Sequence, residues 1–258
     1  MSWTRKLILV SLILVAVFLG FYLYIEEHYY PPILMYHQID KDIARINTIA
    51  VSADVFARQM EFIKRHNYRV VSLEELCRMI KERDRLPRNL LAITFDDGYK
   101  NNLAAVRVLK KHNFPATIFI VISWIGKPGY LNREDLDWIA RNSSVTFGSH
   151  TLNHSYLPEV SAEEVWREIS GSKQKAKQEY GLDLSTLAYP VGGFTPESLT
   201  QVKESGYLCA CTTNRGFSKE PNIYALRRIK ITNRDLGIRL WGKLTGFYNL
   251  FRKLKPPY

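Results

Sequence analysis

Three short motifs place polar side chains where chemistry could occur, and two of them offer metal ligands. Asp96 and Asp97 follow the apolar stretch LLAITF, and His150 and His154 follow the stretch VTFG. Two imidazoles four residues apart, with one carboxylate and open coordination positions, are typical of a catalytic rather than a structural metal site. Each motif alone is weak, because Asp-Asp-Gly is a common turn and the histidine spacing recurs by chance. Together they predict a divalent metal that activates water.

The third motif is AYPVGG at residues 188–193, which also ends an apolar stretch. Glycine-rich backbone can approach a bound oxyanion closely and donate N–H groups to it. A simple turn after an edge strand explains the same residues, and the motif taken alone favours the turn.

Strand and helix signals alternate between residues 31 and 235. The predicted strands are 33–36, 68–71, 90–95, 116–122, 145–148, 187–189, 208–212 and a last one within 225–231. The predicted helices are one that carries Phe56, Met60 and Ile63 on a single face, and 72–80, 102–111, 134–141, 162–180 and 196–205. This alternation predicts an α/β fold with a parallel sheet closed into a barrel. Because active sites of such folds lie at the carboxyl ends of the strands, all three motifs are expected at one end.

The order of the motifs, TFDDG followed by HTxxH and then YPxG, resembles the polysaccharide deacetylases of carbohydrate esterase family 4. The resemblance covers nearly all of residues 31–235, including ILMYHQI and FARQMEFIKRHNYRVVSLEEL. It is greatest to the branch that deacetylates exopolysaccharide of the poly-N-acetylglucosamine type. It implies a distorted (β/α) barrel with fewer than eight strands and a divalent metal, typically zinc. The implied reaction hydrolyses the N-acetyl group of a glucosamine unit and releases acetate.

The resemblance also implies a role for each motif residue. Asp97, His150 and His154 match the metal ligands, and Asp96 matches the general base. The backbone N–H of Val191, by its place in the third motif, is the candidate donor to the oxyanion.

The sequence departs from the commoner family pattern at two points. Many members have an arginine at the start of the third motif, where this chain has Ala188, so that contact to the base is absent or supplied from elsewhere. Many members take the general acid from a histidine near the C-terminus, whereas no histidine follows His154 here. His37 follows the first predicted strand, at the expected active-site end, and we predict that it is the general acid. A structural histidine bonded to backbone is the alternative.

Aromatic side chains before the second motif are candidates for stacking on sugar rings. We predict Trp124 and Tyr130 as substrate-binding residues, with core packing as the alternative. Core packing is the stronger interpretation for Trp138, which lies in an amphipathic helical segment.

Residues 1–27 differ in composition from the rest of the chain. Residues 7–25 contain no charge and are long enough for a helix that crosses the hydrocarbon core. Arg5 and Lys6 precede them, which predicts a cytoplasmic N-terminus and a catalytic domain outside the membrane. We expect an uncleaved, single-pass signal anchor in the cell membrane, with a cleaved signal peptide or a buried helix as alternatives.

The net charge of +11 is concentrated near the C-terminus, in a chain whose 46% hydrophobic residues exclude general disorder. Residues 226–258 hold nine Lys and Arg against one Asp. We expect a catalytic domain over 28–235 and a basic amphipathic segment over 236–258, which either lies on an anionic membrane or closes the barrel. No nucleic-acid motif accompanies the charge, so nucleic acid is not an expected partner.

The three cysteines are too few for a disulfide scaffold. Cys77 lies on the apolar face of a predicted helix, and Cys209 and Cys211 are neighbours on one face of a predicted strand, where they are poor partners for each other. We predict three unpaired, buried thiols. A metal role for the C-x-C pair is the alternative.

These observations predict a membrane-anchored, metal-dependent deacetylase whose partner is an extracytoplasmic polysaccharide that contains N-acetylglucosamine. Peptidoglycan and a lipid-linked sugar are alternative substrates. A glycan-binding module without turnover is the non-enzymatic alternative, because the arginine of the third motif and the C-terminal histidine are missing.

Overall fold

The computed structural model describes residues 3–28, 30–40, 49–82, 86–213, 222–246 and 248. The chain divides into two compact units, Met1–Tyr30 and Pro31–Tyr258. The first unit contains helix α1 (Trp3–His28), and its part Trp3–Tyr24 is long and apolar enough to cross a membrane. A membrane anchor and a signal sequence both meet this test of length and composition.

The second unit is built around a parallel sheet, as predicted. The strands in the described residues are β1 (Ile33–Tyr36), β2 (Gln38–Asp40), β3 (Ala50–Ser52), β4 (Arg69–Val71), β5 (Leu90–Phe95), β6 (Ala116–Ile120), β7 (Val145–Ser149), β8 (Thr186–Ala188), β9 (Cys209–Thr212), β10 (Leu226–Arg227) and β11 (Ile229–Lys230). Their order in the main sheet is β10-β9-β8-β7-β6-β5-β1-β11, with β4 paired to β5. Strands β2 and β3 form a separate pair that the sequence does not predict.

A single short segment, residues 226–230, brings the two ends of the sheet together. Its first two residues pair with β9 and its last two pair with β1, so the sheet becomes a nearly closed barrel. Arg228 lies between these two short strands and its side chain is fully buried. The expected barrel is confirmed. Seven strands of its sheet have three residues or more, and the two-residue strands β10 and β11 raise the number of strands in the described residues to nine.

Helices connect the strands and pack around the barrel. They are α2 (Ala53–Arg65), α3 (Leu73–Lys81), α4 (Asn102–His112), α5 (Arg133–Asn142), α6 (Ala162–Trp166), α7 (Ser172–Tyr180), α8 (Pro196–Glu204) and α9 (Ile238–Leu244). Phe56, Met60 and Ile63 of α2 are fully buried on the face that their spacing predicts. Ser72 caps α3 by accepting a hydrogen bond from the N–H of Glu75 at 3.1 Å.

The predicted helix 162–180 is interrupted by one wide turn. Residues Arg167–Gly171, between α6 and α7, form a π-helical turn. Glu168 in this turn is fully buried, although the surrounding helix is largely polar. The periodicity of the sequence does not predict the turn, because an extra residue per turn is a local event that tertiary contacts select.

The prediction of three unpaired cysteines is wrong for two of them. Cys77 of α3 and Cys209 of β9 form a disulfide across 132 residues, with their Cα atoms 6.4 Å apart. Their pairing depends on the packing of α3 against the end of β9, which spacing along the chain does not reveal. Cys211 is buried and unpaired as predicted, and burial raises the pKa of its thiol to about 12.

The beginning of the basic C-terminal segment packs within the second unit. Leu240 and Leu244 of α9 are fully buried. The Nζ of Lys243 donates to Oδ2 of Asp235 and to the carbonyl oxygen of Lys230, both at 2.7 Å. Contacts of this kind are those expected if the segment packs on the barrel, and the membrane alternative stays a prediction. Phe247, Phe251 and Leu254, which continue the helical spacing of Leu240 and Leu244 in the sequence, lie outside the described residues.

Thiol titration of protein made in an oxidising compartment tests the Cys77–Cys209 pairing. Unfolded without reductant, the protein should show one reactive thiol, and after reduction it should show three. Reduction should lower the free energy of unfolding by about 2–5 kcal/mol. Cys211→Ser is the control and should show no reactive thiol before reduction. Three thiols in the unreduced protein would contradict the pairing.

Candidate active site

Three side chains from two strand ends converge to form a possible metal site. Asp97 follows β5, and His150 and His154 follow β7. The Nε2 atoms of both histidines lie 3.4 Å from Oδ1 of Asp97, and one ligand atom from each residue lies within 4.8 Å of the others. Two imidazole nitrogens and one carboxylate oxygen suit zinc and similar divalent ions. The structure therefore brings together the three residues that the motifs predict as ligands.

The surroundings of His150 fit a metal ligand. Its Nδ1 lies 2.7 Å from the carbonyl oxygen of Ala188 at the end of β8. Because a carbonyl only accepts, Nδ1 carries the proton in this contact and Nε2 is left with its lone pair. Ala188 thus contributes through its backbone at the position where many family members have an arginine.

Asp97 is suited to the ligand role by its charge state. Burial alone would raise the pKa of its carboxyl, but the neighbouring imidazoles of His150 and His154 hold that pKa well below its usual range. The residue also leaves the extended conformation of β5, with a φ of +69°. An ionised carboxylate is the form that coordinates a metal.

The adjacent carboxylate, Asp96, has a different partner. The guanidinium of Arg228 binds it through two hydrogen bonds, Nη1 to Oδ1 at 2.5 Å and Nη2 to Oδ2 at 2.8 Å. Both side chains are almost completely buried. Burial would raise the pKa of Asp96, but the positive charge of Arg228 lowers it below its ordinary value. Asp96 is therefore an ionised carboxylate that is bound by Arg228 and not by the possible metal ligands.

Arg228 reaches Asp96 through the interior of the barrel. Its Nη1 also donates to Oγ1 of Thr94 at 3.2 Å, and its guanidinium carbon lies 5.3 Å from the centre of the Phe119 ring. The ring of Phe119 fills space beside Gly148, where a Cβ atom would approach it to 2.6 Å. The glycine thus makes room for the ring against which the cation rests.

Arg228 is the main site residue that the sequence motifs do not reveal. From the closing segment it supplies the contact to Asp96, the predicted base, that Ala188 cannot make. The available signal is a pair of arginines, Arg227 and Arg228, within the last predicted strand. The pattern does not indicate which of the two faces the barrel interior, because the neighbouring apolar residues Leu226 and Ile229 are both buried.

His37 lies beside Asp96, at the end of β1. Its Nε2 is 3.9 Å from Oδ2 of Asp96, and its side chain is 19% exposed. Asn102 donates from Nδ2 to the carbonyl oxygen of His37 at 2.6 Å and so fixes its backbone. Burial lowers the pKa of His37, and the charges of Asp96 and Asp97 only partly oppose this. The structure thus places the predicted acid next to the predicted base.

Val191, the predicted oxyanion donor, occupies a strained turn after β8. Its φ of +57° is unusual for a β-branched residue, and 61% of the residue is exposed. Oγ1 of Thr213 donates to the carbonyl oxygen of Val191 at 2.8 Å and helps to hold the turn. The next residue, Gly192, has a φ of +84° and lies so close to Thr213 that a side chain would collide with it. Strain of this kind is typical of sites where backbone groups meet a ligand.

A row of aromatic rings extends from the possible metal site. Trp124 stacks on His154 with ring centres 5.2 Å apart, and Tyr130 follows at 4.8 Å from Trp124. Tyr99 continues the row, stacked on Tyr130 with ring centres 5.3 Å apart, although its position in the sequence does not indicate a sugar-binding residue. Trp138 packs, partly buried, against the core, as its helical position suggests. The row is a surface on which sugar rings could stack next to the metal ligands.

Known proteins resemble this chain in sequence and in fold. The profile of the family described as polysaccharide deacetylase matches residues 83–210. YxkH of Bacillus subtilis, which is classed by name with the polysaccharide deacetylases, is 30% identical over 203 residues, or 78% of this chain and 71% of that protein. The poly-β-1,6-N-acetyl-D-glucosamine N-deacetylase of Staphylococcus epidermidis is 26% identical over 206 residues, or 73% of this chain and 70% of that protein. The structure of the Streptococcus pyogenes deacetylase PplD in complex with acetate has a TM-score of 0.76 at 25% identity, and the match covers 83% of this chain and 99% of that one.

Substitution of Arg228 should destabilise the protein as well as the site. Arg228→Ala leaves the buried carboxylate of Asp96 without its cation, so the free energy of unfolding should fall by about 3–5 kcal/mol. Urea unfolding of the two proteins measures this change. Arg227→Ala is the matched control, because Asp96 binds Arg228 and not its neighbour. An equal loss of stability in both variants would show that the ion pair is not the cause.

Proposed function

The chain belongs to the polysaccharide deacetylase family and is a hydrolase of amide bonds, and on this premise we propose that it removes N-acetyl groups from N-acetylglucosamine units of an extracytoplasmic polysaccharide. One observation carries the proposal. The possible ligands Asp97, His150 and His154 lie beside the Asp96–His37 pair at one end of the barrel. An amide is a poor electrophile, and this arrangement can supply each group that its hydrolysis needs.

We infer a divalent metal, with zinc as the best fit, at Asp97, His150 and His154. The donor set of two imidazoles and one carboxylate leaves positions for water and substrate, and the Ala188 carbonyl orients His150 as such a site requires. When bound there, a divalent ion polarises the amide carbonyl and lowers the pKa of water.

Asp96 is the proposed general base. It is ionised because Arg228 holds it, and it lies beside the ligands without being one of them. The same ion pair weakens Asp96 as a base, so a proton taken from water does not remain on it. His37 Nε2 is 3.9 Å from Oδ2 of Asp96 and offers the next position for that proton.

His37 is the proposed general acid for the leaving amine. Its lowered pKa favours release of a proton to the amine nitrogen once it has received one. The backbone N–H of Val191 is the proposed donor to the oxyanion of the tetrahedral intermediate. The chain thus offers a path for the proton from water to the amine through two adjacent side chains.

The proposed polymer substrate rests on the aromatic row and on the relatives. Trp124 and Tyr130 offer ring faces beside His154, where a neighbouring sugar of the chain could stack. The Staphylococcus epidermidis relative is named for activity on poly-β-1,6-N-acetyl-D-glucosamine. The case for a binding module without turnover is weaker than the motifs suggest, because Arg228 supplies the contact to the base that Ala188 lacks.

We propose that the catalytic unit lies outside the cytoplasmic membrane, anchored by residues 1–27. The apolar helix Trp3–Tyr24 has the length for a single membrane crossing. The Cys77–Cys209 disulfide is favoured in an oxidising compartment, which agrees with this location.

Acetate release tests the proposed reaction. Partly acetylated poly-N-acetylglucosamine, chitooligomers and peptidoglycan are incubated with the purified protein, with and without a chelator. We expect release from the glucosamine polymer, loss of activity after chelation, and recovery when Zn²⁺ is returned. Metal bound at Asp97, His150 and His154 without acetate release from any of these glycans would favour a binding module instead.

His37→Ala tests the role of the acid. The variant should retain its metal and lose about 10²- to 10⁴-fold in kcat, because the leaving amine no longer receives a positioned proton. His66→Ala, which removes an exposed imidazole at the end of α2, is the matched control. Turnover near that of the wild type, with metal content unchanged, would rule out His37 as the acid.

A further inference from the structure

The loop that carries both histidine ligands has a strained backbone. Thr151 has a φ of +66° and His154 a φ of +67°, conformations that residues with side chains rarely adopt. They persist only where surrounding contacts hold them. His150 is fixed by the Ala188 carbonyl, but His154 lies at the far end of the loop. The distance between the two ligands therefore depends on whatever holds residues 151–154.

One residue outside the site, Glu168 of the π-helical turn, binds the middle of this loop three times. Its carbonyl oxygen accepts from the N–H of Leu152 at 3.1 Å. Its carboxylate accepts from the N–H of Asn153 at 2.9 Å through Oε2 and from Nδ2 of Asn153 at 2.8 Å through Oε1. Main chain and side chain of a single residue thus fix two successive peptide groups between the histidines.

The carboxylate of Glu168 is an ionised group in a buried place. Burial raises its pKa, but hydrogen bonds from Asn153, Thr151 and Ser155 lower it below its ordinary value. Among the described residues its charge forms no ion pair with Lys or Arg, so the loop itself supplies its stabilisation. Charge-assisted hydrogen bonds of this kind are stronger and more directional than neutral ones.

The wide turn explains how a residue in a helix reaches the loop. In a regular α-helix the carbonyl oxygen of Glu168 would face the N–H of Ser172, four residues on. Here the hydroxyl of Ser172 donates to the carbonyl oxygen of Ile169 and contacts Oγ of Ser149, both at 2.8 Å. Ser149 Oγ in turn accepts from the N–H of Thr151 at 3.1 Å. Glu168 of the turn thus holds the middle of the loop, and Ser172, the first residue of α7, contacts its start through Ser149.

We propose that Glu168 is a positioning residue for the metal centre, which sets the separation of His150 and His154 by clamping Leu152 and Asn153. The inference rests on the proposed metal site but concerns a residue that touches none of its ligands. The inference also accounts for the π-helical turn, which places Glu168 next to the loop. Such turns inside helices are frequent at functional sites.

Metal affinity of the purified full chain tests this role. Glu168→Gln keeps the size of the side chain but removes the charge and turns an acceptor into a donor that opposes Asn153. We expect the Kd for Zn²⁺ to rise about 10- to 100-fold, as is usual when a partner in the outer shell of a metal site is lost. The visible absorption of bound Co²⁺ should change, because the angle between the ligands changes. Glu163→Gln, an exposed carboxylate on the same helix, is the matched control.

The outcomes separate this inference from the metal site itself. If the wild type binds neither Zn²⁺ nor Co²⁺, the proposed metal site is wrong and Glu168 has no ligands to position. If the wild type binds metal and Glu168→Gln matches Glu163→Gln in Kd and in Co²⁺ spectrum, the positioning role is overturned. Should Glu168→Gln fail to fold, Asn153→Ala decides: it removes one of the three contacts and should weaken metal binding several-fold, whereas an unchanged Kd would refute the proposal.

Discussion

A buried ion pair between Arg228 and Asp96 is the interaction on which the active-site end of the barrel depends. A carboxylate at the end of a buried strand would become protonated without a partner, since burial disfavours its charge. Arg228 keeps it ionised with two hydrogen bonds, and the guanidinium can reach it only because residues 226–230 pair with β9 on one side and β1 on the other. Closure of the barrel and the charge state of Asp96 are therefore linked. The room for Arg228 depends further on Phe119 and on the absence of a side chain at Gly148.

Two neighbouring carboxylates acquire different chemistry from their surroundings. Asp97 faces two imidazoles and Asp96 faces a guanidinium, because the chain leaves the extended conformation between them. When the surroundings of two titratable groups give them different pKa values, the two groups can take different roles in one site. The two histidines that we propose as ligands also have partners outside the site. The Ala188 carbonyl bonds to His150, and Glu168 bonds to the loop that ends in His154.

Much of this arrangement can be predicted from the chain. The strand at 90–95, the long helix at 162–180 and the motifs that follow β5, β7 and β8 are local patterns of apolar spacing and turn residues, and the structure shows the elements near those positions. The disulfide, the π-helical turn and the roles of Tyr99 and Arg228 are not local patterns. Cys77 and Cys209 are 132 residues apart, and only the packing of α3 beside β9 makes them neighbours.

The sequence by itself determined the family, the barrel and the residues at the strand ends. These follow from the spacing of apolar residues within each element and from the order of the short motifs, which are local properties of the chain. The tertiary structure decided which cation neutralises Asp96, which cysteines pair and what holds the histidine loop. These depend on contacts between segments distant in the chain, and they are selected by the cost of leaving a buried charge or a buried polar group without a partner. Arg228 shows the difference clearly. In the sequence it is one of two adjacent arginines, and in the fold it is the one whose side chain is buried in the barrel against Asp96.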